Sequence, residues 1–171
     1  MITARAHIER NRHLDAAPDA AWALLQDVPR WGMLFPNVEA IQRIAEPSGE
    51  PGDLGAFVWR LGPLGPPGRK VRTVYACRYH ADDGARVLTW APTDDAPGTP
   101  STGTFAGQVS LASSGGGTRG ALVMDATLEI PAPSFLKSVV APLVEAEMGR
   151  MTDQFLDRLA AHLGPGGALG V

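Results

Sequence analysis

The chain has 171 residues, enough for one domain whose core needs neither disulfides nor metals. Its hydrophobic fraction of 44% and charged fraction of 19% are typical of a globular rather than a disordered protein. The net charge of −3 includes no long run of either sign, so we expect no nucleic-acid partner.

The N-terminal segment M-I-T-A-R-A-H-I-E-R lacks the apolar stretch of a secretory signal, and no apolar run approaches the length of a membrane span. The single cysteine, Cys77, has no partner for an intramolecular disulfide. We therefore expect a cytoplasmic protein without a transmembrane segment. One domain should cover residues 1–163, with a flexible tail at 164–171; a homodimer is left open.

The first predicted elements are a strand and two short helices. Residues 5–14 form a polar strand with poor alternation. A helix opens at Asp15 or Pro18 and ends at Pro29. The segment W-G-M-L-F-P-N-V (31–38) predicts a short helical turn that gives way to a strand.

Six further strands follow at regular intervals. Residues 70–80 alternate best, because Tyr75, Cys77 and Tyr79 share one face. The connections are predicted at the Pro- and Gly-rich loops 62–68 and 92–101 and at turns near 81–84 and 113–118. The six strands cover 38–45, 54–61, 70–80, 86–91, 102–112 and 119–130.

A long helix closes the chain at 134–163, with Ser134 as its N-cap and Pro142 as the site of a kink. Its apolar residues recur at helical spacing and predict the face that packs on the sheet. No other element is large enough to cover a sheet of this size. The stripe comprises Leu136, Val139, Val140, Leu143, Val144, Met148, Met151, Phe155, Leu159 and Leu163.

Three segments carry a resemblance to a known family. Residues 15–38 (D-A-A-P-D-A-A-W … F-P-N-V), the turn G-G-G-T-R at 115–119 and the closing helix at 141–163 resemble the START-like superfamily of polyketide cyclases, dehydratases and lipid-transport proteins. The resemblance implies an α+β helix-grip fold, in which a curved antiparallel sheet of about seven strands wraps around the long helix. It leaves the function open, because the family includes enzymes, carriers, chaperone activators and accessory subunits.

The resemblance also implies a cavity between the concave face of the sheet and the long helix. The Pro- and Gly-rich loops 62–68 and 92–101 depart from the family pattern, and we expect them at the mouth of that cavity. Period-two alternation then predicts which side chains face that cavity; the alternative is that they pack a solid core. The ligand-binding candidates are Phe57, Trp59, Tyr75, Tyr79, Trp90, Phe105, Met124, Leu143, Glu147 and Met151.

Among these candidates, Tyr75 and Tyr79 would orient the polar end of a ligand, unless their hydroxyls bond to the backbone or reach solvent. Glu147 lies on the edge of the apolar stripe, where burial would raise its pKa, with Arg10, Arg12 or Arg72 as a partner. The alternative is an exposed position at the edge of the stripe.

The histidines allow two interpretations. His7 and His13 share one side of the first strand, and a histidine is a suitable general base for cyclase or dehydratase chemistry. A polar strand at a sheet edge would contain the same residues, and we favour that interpretation; no catalytic residue is assigned. Asp125 lies opposite the apolar face and should be solvated. The motifs of phosphate, dinucleotide and zinc sites are absent from the sequence, so we expect no cofactor and no metal.

The leading hypothesis is a non-catalytic binding protein for a lipid, isoprenoid, quinone or polyketide-like molecule. A cyclase or dehydratase is the second hypothesis and requires an inward-facing His, Asp or Glu. The third is an accessory subunit that docks on a larger enzyme or a membrane, which requires an exposed apolar patch.

Overall fold

The computed structural model describes residues 1–64, 70–94 and 101–164. The remainder of the two predicted Pro- and Gly-rich loops (65–69 and 95–100) and of the predicted flexible tail (165–171) lies outside the described residues. Within the described part, the predicted order of one strand, two short helices, six strands and a long helix is confirmed.

Seven strands and three α-helices make up this order. The strands are β1 (Ile2–Leu14), β2 (Val38–Ala45), β3 (Asp53–Leu64), β4 (Val71–Asp82), β5 (Val87–Pro92), β6 (Gly103–Ser114) and β7 (Gly117–Ile130). The α-helices are α1 (Pro18–Gln26), α2 (Trp31–Leu34) and α3 (Lys137–Leu163), and 3-10 turns precede α2 (Val28–Arg30) and α3 (Ser134–Leu136).

The strands form one curved antiparallel sheet in the order β1-β7-β6-β5-β4-β3-β2. β1 is therefore an edge strand, as its polar sequence predicts. It begins at Ile2, earlier than expected, because Ile2 and Ala4 bury their side chains while Ile2 pairs with Ile130.

Most connections are tight. β6 and β7 are joined by Gly115 and Gly116, whose φ angles of 53° and 82° suit a two-residue hairpin turn that favours glycine at both positions. The predicted loop at 62–68 is wrong at its start, because β3 continues to Leu64, which pairs with Val71. The turn predicted at 81–84 lies at 83–86, because Ala81 and Asp82 still pair with β5.

The two ends of the sheet differ in what adjoins them. At one end, which we call the loop end, β3 ends at Leu64, β6 begins at Gly103 and β7 ends at Ile130. At the other, the turn end, lie the turns 83–86 and 115–116. Helix α1 is fastened to the turn end, because the Trp22 indole N–H donates to Asp83 Oδ1 (2.8 Å) and the Thr118 hydroxyl donates to the Ala16 carbonyl.

Helix α3 runs beside β1 from the loop end to the turn end. Its direction follows from two ion pairs, Arg10 with Asp153 (2.7 Å) and Arg12 with Asp157 (2.5 Å). Ser134 is not an N-cap, because a 3-10 turn from Ser134 leads directly into the helix and no side chain caps either start.

Only part of the predicted apolar stripe of α3 is buried. Met148, Met151, Phe155 and Leu159 are buried, which confirms the prediction for these positions of the C-terminal half. Leu163 is half-buried, and Leu156, which lay outside the predicted stripe, is buried as well. The prediction is wrong for the N-terminal half: Leu136, Val140 and Val144 are only half-buried, and Leu143 is 60% exposed.

The reason is that α3 is not the only cover of the sheet. Helix α1 and the short helix α2 also contribute buried side chains to the core, among them Trp22, Leu25, Trp31 and Leu34. These residues fill space at the turn end that the sequence assigned to α3 alone. The N-terminal half of α3 lies beyond them, towards the loop end.

Candidate functional site

The concave face of the sheet is lined with aromatic rings. Register places Trp59 of β3 opposite Tyr75 of β4, and Tyr79 of β4 opposite Trp90 of β5, all with side chains on the inner face. Eight of the ten predicted ligand-binding residues are buried in one core cluster. They are Phe57, Trp59, Tyr75, Tyr79, Trp90, Phe105, Met124 and Met151.

A glycine accommodates the largest of these rings. A side chain at Gly107 would place its Cβ 2.5 Å from Trp90 Cζ2 and 2.5 Å from the Val123 carbonyl oxygen. Trp90 therefore lies directly on the backbone of β6, where any other residue would displace it.

Two aromatic residues that the sequence did not assign to the site lie over the turn half of this face. Trp31 packs edge-on against Trp59, Tyr79 and Trp90, at centroid distances of 6.1, 5.9 and 5.6 Å. Phe35 stacks on Phe155 of α3 at 4.3 Å. The segment W-G-M-L-F (31–35) contains both rings, and their i, i+4 spacing is the signal that identifies an inward-facing pair.

The half of the inner face nearer the loop end, which we call the loop half, contains Leu61, Thr73, Tyr75 and Phe105 and has a different cover. There Tyr75 stacks on Phe105 at a centroid distance of 3.9 Å and on Trp59 at 5.8 Å. Beyond them towards the loop end, Leu61 and Thr73 pair across β3 and β4. The helical residue that packs against the core nearest this half is Val144, which is only partly buried. The strand residues Leu61, Thr73 and Tyr75 are nonetheless buried, at 3%, 5% and 8% exposed, so burial in this half is incomplete on the side of the helix.

The titratable groups of the inner face are held protonated. Burial raises the pKa of the Tyr75 and Tyr79 hydroxyls well above 10 and raises the pKa of the Cys77 thiol to about 12. The thiol also donates to the Phe105 carbonyl at 3.3 Å. At neutral pH these groups act as hydrogen-bond donors and not as bases.

Glu147 does not have the environment that the sequence predicted. Its carboxylate pairs with Arg150 of the same helix, with Arg150 Nε 3.0 Å from Oε2, and its side chain is about one-third exposed. The hydrogen bond from Arg150 lowers its pKa, contrary to the predicted rise. The suggested partners are engaged elsewhere: Arg10 and Arg12 with α3 aspartates, and Arg72 with Glu39.

The histidines of β1 lie on the outside of the sheet. His7 Nδ1 is 2.6 Å from Asp125 Oδ1, and His13 Nε2 is 3.1 Å from Asp15 Oδ1; all four side chains are exposed. The hydrogen bond to Asp125 is the main reason that the pKa of His7 is raised. This placement confirms the edge-strand interpretation of the two histidines and the expected exposure of Asp125.

A second concavity lies on the outside, between β1 and α3. It is an open groove of about 670 Å³. Among its charged side chains, Arg10 pairs with Asp153 inside the groove, whereas His7 pairs with Asp125 and Arg150 with Glu147 beside it. The lining residues are His7, Ile8, Arg10, Pro142, Glu145, Ala146, Gly149, Arg150, Asp153 and Gln154.

Neither a metal centre nor a membrane-spanning helix is found in the residues that the structure describes. No group of three or more His, Cys, Asp or Glu side chains there is arranged to hold a metal ion. None of the helices described combines the length and the apolar character that crossing a membrane requires.

Several solved structures share this fold. A protein from Thermus thermophilus superposes with a TM-score of 0.64 at 18% identity, covering 92% of this chain and 99% of that one. The Zhui aromatase/cyclase of a Streptomyces species superposes with a TM-score of 0.62 at 18% identity, covering 95% of this chain and 98% of that one. A START superfamily protein from Mycobacterium smegmatis superposes with a TM-score of 0.61 at 12% identity, covering 92% of this chain and 96% of that one. At these identities the likeness concerns the fold alone.

A search of curated protein sequences found no match. The model of one protein family does match, and its description is polyketide cyclase / dehydrase and lipid transport. Because that match extends over residues 5–164, the chain belongs to the polyketide cyclase / dehydrase and lipid transport family.

Proposed function

We propose that this protein binds a hydrophobic small molecule, without transforming it, between the loop half of the inner face and the N-terminal half of α3. The observation that carries the proposal is the chemical character of that face. Its surface is aromatic and aliphatic, and its titratable groups, Tyr75, Cys77 and Tyr79, stay protonated at neutral pH. Such a surface favours an apolar molecule through burial of area, at roughly 25 cal/mol per Å².

The location rests on the incomplete cover of the loop half. Val144 points towards the core but is only partly buried, whereas Val139, five residues earlier on the same helix, is 59% exposed. An apolar ligand below Val144 would complete the burial of this side of the helix. Lipid, isoprenoid, quinone and polyketide-like molecules all match this apolar requirement.

The test compares two variants with an apolar fluorescent probe such as Nile red. Val144→Phe adds bulk on the inner side of α3 and should lower probe affinity severalfold or more. Val139→Phe adds the same bulk on the exposed side of the helix and should leave the affinity for the probe unchanged. Native mass spectrometry of the purified protein would identify any molecule that co-purifies.

The outcome also distinguishes a ligand space from a solid core. In a solid core Val144→Phe should destabilise the protein by about 1–3 kcal/mol through overpacking. With free space below the helix, the same change should leave the free energy of unfolding nearly unaltered. Failure of the native protein to bind the probe, together with overpacking in Val144→Phe, would reject the proposal.

Cyclase or dehydratase activity is the alternative, since the family description and the name of the Streptomyces neighbour include it. That chemistry needs a proton acceptor within hydrogen-bond reach of the substrate. The tyrosines and the thiol of the inner face are donors at neutral pH, and His7 and His13 lie outside. His80 of β4 is exposed as well, with its Nε2 2.9 Å from the Pro51 carbonyl oxygen. For these reasons we place binding first, and turnover lost in His13→Ala or His80→Ala would reverse that order.

One observation favours a docking function as a second candidate. Phe135, Val139 and Leu143 are exposed by 79%, 59% and 60% and follow one another at four-residue intervals. An accessory subunit that docks on an enzyme or a membrane surface needs such a patch. Co-sedimentation with lipid vesicles, lost in Phe135→Ser but retained in Val144→Phe, would support it.

A further inference from the structure

The segment between β7 and the buried half of α3 has few contacts with the rest of the molecule. We call this segment, residues 131–147, the strap. None of its residues is fully buried. Among the described residues, no hydrogen bond or ion pair joins residues 133–147 to the sheet, to α1 or to α2; Glu147 pairs with Arg150 of its own helix. On the core side, Val144 packs against buried residues but is itself only partly buried.

The remainder of α3, residues 148–163, is fastened at several points. Phe155 is fully buried and stacks on Phe35 of the α2 segment. Asp153 and Asp157 form ion pairs with two arginines of β1. One continuous helix therefore has a fixed base and a strap without equivalent contacts, and the boundary lies between residues 147 and 148.

Prolines interrupt the backbone of the strap. Pro131 and Pro133 precede its first helical turn, and Pro142 lies inside α3. Because Pro142 has no N–H, the Ser138 carbonyl lacks the donor that a regular helix would supply four residues later. No side chain caps the helix where it starts. The strap can therefore bend at Pro142 without breaking a hydrogen bond at that position.

Solvent lies along one flank of the strap as well as on its outer face. The open groove of about 670 Å³ has Pro142, Glu145 and Ala146 of the strap on one side and His7 of β1 on the other. The outer face carries the exposed side chains of Phe135, Val139 and Leu143. Outward movement of the strap is thus a movement into solvent among the residues described, and it separates only partly buried side chains from the sheet.

We propose that the strap is a gate for the ligand: it opens outward as one unit, bending at Pro142, while residues 148–163 keep their place against the sheet. A segment with little buried surface opens far more often than the whole protein unfolds. Passage of a ligand through the gate rests on the proposed function, since the strap covers the same site. The opening itself is a property of the free protein and is tested without a ligand.

The first test is amide hydrogen exchange, followed by NMR on the free protein at pH 7. The amides of 141 and 143–147 have helical acceptors within the strap, because α3 begins at Lys137. Their protection factors should be similar to one another and at least about 100-fold lower than those of Phe155 and Leu159 in the base. Equal protection in the strap and the base would overturn the proposal.

Three variants show whether the opening belongs to the helical strap. Pro142→Ala supplies the missing N–H and a better helix former, so the protection of the strap should rise at least about tenfold. Ala146→Gly, at an exposed strap position, should lower it about fivefold. Ala161→Gly makes the same change at an exposed position of the base and should leave the strap unaltered. Native protection of the strap in both Pro142→Ala and Ala146→Gly would overturn the proposal.

Stopped-flow binding of Nile red tests passage through the gate. If opening precedes both entry and release, Pro142→Ala should slow association and dissociation by the same factor of at least about ten and leave Kd nearly unchanged. Ala146→Gly should accelerate both rates about fivefold, and Ala161→Gly neither. A change in Kd with native rates would instead indicate an altered site.

The two measurements separate this inference from the proposed function. Native binding rates in variants whose strap protection has changed would place the entrance elsewhere, which overturns the gate and leaves the binding function standing. If the native protein does not bind the probe, the proposed function fails and the gate for a ligand fails with it. The exchange data decide in either case whether the strap opens as a unit.

Discussion

The two halves of α3 have similar apolar periodicity but very different surroundings. In the C-terminal half, Met148, Met151 and Phe155 are buried against the sheet and the aromatic residues of the α2 segment. In the N-terminal half, residues 137–147, no residue is fully buried. The difference arises because Trp31 and Phe35 occupy the turn half of the concave face, and no equivalent segment among the described residues occupies the loop half.

This comparison indicates how a helix-grip fold separates stability from binding. The turn half is a conventional core of interlocked rings. The loop half has apolar side chains on both sides, but on the helix side Val144 is only partly buried. A fold organised in this way needs the first half in order to be stable, and our proposed function assigns the ligand to the second half.

The sharpest way to test the contrast is Phe155→Ala. Phe155 is fully buried and contacts both Trp31 and Phe35, with centroid distances of 5.2 and 4.3 Å. Removing the ring should cost about 3–5 kcal/mol of unfolding free energy, as large aromatic truncations in cores do. Denaturant melts measure this loss, and a value under about 1 kcal/mol would show that the C-terminal half is not the core.

A smaller effect is expected where the C-terminal half is fastened to β1. Asp157→Asn removes the ion pair with Arg12. The Arg12 side chain is 34% exposed and the Asp157 side chain is 61% exposed. Such a partly exposed pair contributes about 0.5 kcal/mol, and salt weakens it. Melts at low and high salt should show the difference between variant and native protein shrinking as salt increases; a loss of several kcal/mol would place this pair in the core.

Leu143→Ala tests the other half of the comparison. Because Leu143 is largely exposed, its truncation should change the free energy of unfolding by less than about 0.5 kcal/mol. Phe155→Ala in the same assay is the control for a buried stripe position. A loss of about 2 kcal/mol or more, typical of a buried leucine, would mean that the N-terminal half packs on the sheet.

The smallest effect concerns Glu147, at the junction of the two halves. Arg150 lowers the pKa of Glu147 in the folded protein, so the pair stabilises the fold above the carboxyl group's ordinary pKa. That contribution is lost as the pH falls through the lowered value. At pH 7 the free energy of unfolding of the native protein should exceed that of Glu147→Gln by about a few tenths of a kcal/mol. The difference should vanish in strongly acidic buffer. A difference that grows on acidification would contradict the ion-pair assignment.

The inner face was predictable residue by residue, whereas its cover was not. Alternation along a strand determines which side chains share a face, so the sequence alone was enough to place Trp59, Tyr75 and Tyr79 on the inner side of the sheet. Helical periodicity identifies an apolar stripe but not what lies opposite it, which is why Leu143 was assigned to the core wrongly. Glu147 was misjudged for the same reason, because its partner, Arg150, sits on its own helix and not on the sheet.

By itself the sequence determined the order of elements, the antiparallel sheet with a polar edge strand, the aromatic inner face and the long closing helix, because these follow from local periodicity and from turn residues at fixed positions. Only the tertiary structure decided that Trp31 and Phe35 cover one half of that face. It also decided where the buried indole N–H groups of Trp22 and Trp31 find acceptors, in the Asp83 carboxylate and in the Leu25 carbonyl. Whether a buried polar atom finds a partner depends on residues distant in sequence, such as Asp83 for Trp22, and on the close approach of their atoms, which a one-dimensional pattern does not contain.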